Sequence, residues 1–113
     1  MEFMWIMYEG EPIPEGLMAE MGEFAGKLGA QGKMREGAPL QPAEQAVRIR
    51  VEDGSTSVTD GPFAETKEII AGYFVIDCAD RDEAVEHAKT CPHARIGKIE
   101  VREIIPMGPA HKR

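Results

Sequence analysis

Positive charge is scarce in this sequence, and so are cysteine, aromatic side chains and long apolar runs. There are 13 Lys and Arg against 20 Asp and Glu, a formal net charge of -7. A surface that neutralises a phosphate backbone needs clustered Lys and Arg, so nucleic acid is excluded as a direct partner. The apolar run near the start, FMWIMY from Phe3 to Tyr8, is too short to cross a bilayer and follows Glu2 rather than a basic cluster. The expectation is a soluble, unexported, cytoplasmic protein with no membrane partner. Cys78 and Cys91 match neither a zinc framework nor a disulfide scaffold, and read as reduced thiols serving as small apolar filler. His87, Cys91 and His93 are close in sequence but straddle a helix stop, so no metal is expected. Without a Gly-rich phosphate loop, a G-x-S-x-G elbow or a P-loop, no cofactor is expected either.

What is present fits one domain, since 113 residues with 42% hydrophobic content leave no room for a second core. FMWIMY is apolar at every position, which predicts a strand covered on both faces. In PEGLMAEMGEFAGKLGAQG, the residues Leu17, Met18, Met21, Phe24, Ala25 and Leu28 recur at helical spacing opposite Glu20, Glu23 and Lys27. The helix should end among Gly29 to Gly32, with a left-handed glycine cap. REGAPLQP reads as a loop or a short irregular strand. AVRIRVEDGSTSVTDG alternates Val47, Ile49 and Val51 against Arg48, Arg50 and Glu52, and Asp53-Gly54 is a favoured two-residue hairpin turn. IIAGYFVIDC is a second strand apolar on both faces. DRDEAVEHAKTCP carries Asp80 and Glu83 at capping-box spacing, buries Ala84, Val85 and Ala88, and stops at Pro92. GKIEVREII closes the order with an alternating strand.

This order predicts an α+β fold, a ferredoxin-like βαββαβ sandwich with an extra β-hairpin, in a single domain over residues 1–106 with a frayed tail over 107–113. Two helices cover one face of such a sheet. The other face of the two doubly apolar strands needs a second cover, most simply the same face of a second copy. A homodimer with a cavity at the sheet face is therefore expected.

The run VTDGPFAETKEIIAGYFVIDCADRDEAVEHAKTCPHARIGKIEVREI resembles the YCII-related proteins, in the branch marked by the motif DGPFAETKE, intact here from Asp60 to Glu68. The opening MEFMWIMYEGE is similar to that branch as well. The resemblance implies a dimeric α+β barrel. It also implies, by name only, a link to an extracytoplasmic-function sigma factor. The acid/base pair suggested for the wider group, a His on the first helix and an Asp near the end of the second, has no counterpart here: no His precedes His87, and Cys91 stands ahead of Pro92.

Asp60 is the first candidate for chemistry. Its carboxylate either accepts a backbone N–H and fixes the D-G-P corner, or projects into the cavity as a general base. Gly61 and Pro62 are backbone devices in both cases, and Phe63 is a core anchor or a ligand contact. Glu65, Lys67 and Glu68 form either a solvated charged turn or a set in which Lys67 holds an anionic group while Glu65 or Glu68 pairs with Arg102. His93, in a loop, is the better acid/base candidate among the histidines, and His87 belongs to the surface of the second helix, four residues after Glu83. Tyr8 and Tyr73 have phenol tips that need partners when buried, which makes them candidate polar groups of the pocket, with Tyr73 among its lining. Met4, Met7, Met18, Met21 and Trp5 suit either an ordinary core or an adaptable apolar cavity. The expected function is binding of a small molecule in that cavity, with proton transfer at Asp60. The alternative is a non-catalytic regulatory or interaction module.

Overall fold

The computed structural model describes residues 1–63 and 68–107. Among them run strand β1 (Glu2–Tyr8), helix α1 (Leu17–Ala30), strands β2 (Met34–Pro39), β3 (Val47–Glu52), β4 (Ser55–Asp60) and β5 (Ile70–Asp77), helix α2 (Arg81–Lys89) and strand β6 (Ile99–Glu103). Short 3-10 turns precede β3 (Ala43–Gln45) and follow α2 (Pro92–Arg95). Four strands form one antiparallel sheet in the order β2-β5-β1-β6, and β3 and β4 pair only with each other. With the hairpin set aside, that order is the ferredoxin-like one the sequence predicts.

The period-two rule sorts the sheet's side chains into two faces. On β1, Phe3, Trp5 and Met7 are buried on one side and lie opposite Ile76, Phe74 and Gly72 of β5. That face carries both helices. Trp5, Phe24 and Phe74 form a ring cluster with centroids 6.0 to 6.4 Å apart, and α1 adds Leu28 with Met21 and Ala25 alongside. The other side of β1, with Met4, Ile6 and Tyr8, is half-buried and has no helix over it.

The helix signals act as the sequence predicts. Gly32, at φ 73, follows α1, and the Lys33 N–H reaches back to Leu28 O at 2.9 Å, a left-handed glycine cap. At α2 the Asp80 carboxylate accepts from the Glu83 N–H at 2.9 Å, and the Glu83 carboxylate accepts from the Ala79 N–H at 2.6 Å. The stretch from Met34 to Pro39 resolves in favour of a strand, edge-placed and with a register shift between Met34 and Glu36. Both cysteines are free and buried. Among the described residues no helix is long and apolar enough to cross a membrane, and no group of three His, Cys, Asp or Glu could hold a metal.

The hairpin turns on Asp53 and Gly54, both at positive φ (50 and 76), the backbone a two-residue hairpin turn demands. Its apolar face is bare: Val47, Ile49, Val51 and Val58 are 55 to 67% exposed. On the opposite face the Arg48 guanidinium lies 3.8 Å over the Phe63 ring. The described chain measures 47 × 42 × 20 Å, with a radius of gyration of 16.2 Å, against about 13 Å for a compact chain of this size.

Candidate functional site

Small residues at facing positions leave a hole in the helix-covered layer. The last rung of β1 and β5 on that face sets Met7 against Gly72, which brings no side chain. Gly37 of β2 pairs with Phe74, the strand ends in Ala38 and Pro39, and α1 presents Gly22 and Ala25 above them. The result is a cavity of about 290 Å³, near the lower end of the ~300–1,000 Å³ typical of ligand clefts. Met18 and Met21 roof it, Ile13 and Leu17 stand at its side, and His93 is its one titratable lining group. Met18 is 58% exposed at the rim rather than packed in the core. Met7, Met18 and Met21 thus line a cavity as an adaptable set, while Met4, Trp5 and Tyr73 are not among its lining residues.

His93 is the one buried polar side chain among the described residues, 8% exposed. The 3-10 turn after α2, opened by Pro92, places it beneath the end of β1. Its Nε2 lies 2.7 Å from the Tyr8 carbonyl oxygen. Cys91, just before it, faces the sulfur of Met21 at 3.9 Å. Burial pushes its thiol up, which disfavours the reactive thiolate.

The other sequence candidates lie elsewhere. Asp60 ends β4 on the exposed apolar face of the hairpin, opposite Val47, and no described group bonds to its carboxylate. The next residue closes the corner, with the Gly61 N–H on Ala46 O at 2.8 Å. Phe63 is half-buried under Arg48. Glu65 and Lys67 lie outside the described residues. Glu68 pairs with Lys98 rather than Arg102, and Arg102 stands 3.8 Å from Glu100. Lys98 also sits 5.6 Å over the Tyr8 ring.

The tyrosines belong to the bare sheet face. Tyr8 donates to Glu100 at 3.4 Å and Tyr73 to Glu36 at 3.2 Å. Partial burial, and then the Glu100 charge, raise the Tyr8 phenol above its ordinary value. The structure therefore separates what the sequence grouped: Tyr8, Tyr73, Glu68 and Arg102 on the bare face, Asp60 and Phe63 about the hairpin, and His93 alone in the cavity. The sequence signal for the cavity was the small residues set among large apolar ones, Gly22 and Ala25 on the apolar helix face and Gly72 inside a strand.

The architecture is an antiparallel ferredoxin-like α+β layer with a cavity under its first helix. The chain belongs to the YCII-related domain family, whose model matches residues 1–108. It is 39% identical over 104 residues to the uncharacterised protein R00369 of Rhizobium meliloti (strain 1021), covering 88% of this chain and 79% of that protein. In three dimensions it is similar to 5-chloro-2-hydroxyhydroquinone dehydrochlorinase (TftG) from Burkholderia phenoliruptrix AC1100, solved in complex with 2,5-dihydroxybenzoquinone. That match has a TM-score of 0.55 and 16% identity, over 99% of this chain and 100% of the other. At that identity the likeness is one of fold.

Proposed function

We propose that this protein is a homodimer that binds a small, mainly apolar molecule in the cavity under α1, with His93 as the group that exchanges a hydrogen bond or a proton with it. The observation that carries the reading is the pairing of an apolar cavity of about 290 Å³ with one buried histidine at its wall. An otherwise apolar site supplies affinity through burial, and a single polar group fixes orientation. TftG, which is similar in fold and was solved in complex with the small ring compound 2,5-dihydroxybenzoquinone, is compatible with this. The dimer is supported by Met4 and Ile6 on the bare sheet face and by the exposed stripe on the hairpin. Asp60 lies on that stripe and enters the reading through the partner copy, which would cover it.

A second reading, a non-catalytic interaction module, is favoured by the same hairpin stripe. The two are separated by watching the methionine methyl resonances while a library of small ring compounds is added. Shifts at Met18 and Met21 support the cavity. Absence of any cavity shift, with another protein protecting the hairpin amides from exchange, would leave only the interaction module.

A further inference from the structure

The ring of His93 constrains which molecules the cavity can take. A carbonyl oxygen has only lone pairs to offer, so Nε2, 2.7 Å from Tyr8 O, carries the hydrogen and donates it. In the neutral imidazole the lone pair then resides on Nδ1. No described residue bonds to Nδ1. Of the buried side-chain polar atoms among the described residues, only Trp5 Nε1 is sealed off without a partner. Nδ1 therefore borders open space, and the space that His93 lines is the cavity.

A backbone crossing holds the ring in place. The end of β1 and the residues just after it donate to the segment after the 3-10 turn: the Tyr8 N–H to Lys98 O at 3.0 Å and the Glu11 N–H to Ile96 O at 2.6 Å. The Gly97 N–H closes the turn onto His93 O at 3.0 Å. Glycine is required at both crossing points. A Cβ on Gly97 would run into the Tyr8 carbonyl oxygen and stand 2.9 Å from His93 Nε2, and one on Gly10 would run into Ile96 O.

We infer that the cavity selects a neutral, mainly apolar molecule carrying one hydrogen-bond donor, a hydroxyl or N–H, which meets Nδ1 of His93, and that Gly10 and Gly97 are positioning residues holding the ring in that tautomer. The inference rests on the cavity being the binding site proposed above. Every other lining side chain is apolar, so a carboxylate or phosphate would lose its water without gaining a cation.

The test uses the full chain at pH 8, with ¹⁵N-labelled histidine and ¹³C-methyl methionine. Probes of matched shape are cyclohexanol, methylcyclohexane and cyclohexanecarboxylate. The free protein should show the Nε2–H tautomer at His93. Cyclohexanol should bind roughly 5–10-fold more tightly than methylcyclohexane, the size of one neutral hydrogen bond, and the carboxylate should leave Met18 and Met21 unmoved. Gly97→Ala should mix the tautomers and bring the alcohol preference towards onefold. An Nδ1–H tautomer, equal binding of alcohol and hydrocarbon, or binding of the carboxylate overturns the inference while leaving the cavity in place. If none of the probes moves a cavity methyl, the binding-site reading fails and the inference with it. Should Gly97→Ala not fold, His93→Phe retains a ring without the acceptor. Loss of the alcohol preference in that variant supports the inference, and its retention overturns it.

Discussion

At the scale of single residues, the cavity and the core that borders it differ in one respect, side-chain size. Phe74 contributes to both: it stacks with Trp5 and Phe24 and also forms part of the cavity wall. Phe74→Ala should cost about 3–5 kcal/mol by chemical denaturation, because the void it leaves joins one that already exists. Gly22 is the opposite case. A Cβ built there has nothing within 4 Å, and a helix-interior glycine gives up about 0.5–1 kcal/mol relative to alanine. Gly22→Ala should therefore raise the melting temperature, the usual cost of enlarging a packed core being absent at this site.

Among the elements, α2 is tied down by one carboxylate. Glu83 accepts from Ala79 N–H at its own helix start and from Lys33 Nζ at 2.8 Å, beyond the end of α1. These contacts, the Lys33 hydrogen bond foremost, lower its pKa from 4.5 to about 2. A folded-state pKa below the unfolded one means the carboxylate stabilises the fold fully above pH 4.5, and that contribution is lost as the pH falls towards 2. In Glu83→Gln, stability should accordingly fall less between pH 4.5 and pH 2 than in the parent, which parallel denaturant titrations will measure. Asp80→Ala should cost about 1 kcal/mol through the lost cap. The Asp80 and Glu83 cap was legible in sequence because a capping box is a local spacing rule, whereas the Lys33 contact joins residues 50 apart and was not. The glycine cap of α1 and the Asp53-Gly54 turn were legible for the same reason. His93 could be suspected but not placed, since its partner, the Tyr8 carbonyl, is 85 residues away and reaches it only through the β1 crossing. The charge order of the motif did not show that Glu68 would meet Lys98, a pairing made by tertiary proximity. Helical periodicity set Met18 on the buried stripe, and the gap left by Gly72 and Gly37 turned it into an exposed rim.

For the whole molecule, the thickness of 20 Å and the extended outline fit one sheet, one helix layer and a hairpin standing clear. An isolated two-stranded hairpin is marginal in water, so an exposed stripe of Val47, Ile49, Val51 and Val58 fits a face that a second copy covers. Light scattering should give a dimer at micromolar concentration, and Ile49→Lys should weaken it at least tenfold while leaving the monomer's circular dichroism unchanged, since this side chain touches no core. A monomer in the parent chain would rule the dimer out. Binding in the cavity is read out by cyclohexanol titration of ¹³C-methyl methionine spectra for the parent and for Gly22→Leu, whose longer side chain grows into the space. Saturable shifts are expected at Met18 and Met21 in the parent and none in the folded variant. Equal shifts in both, or shifts confined to Met4 on the bare sheet face, would contradict it.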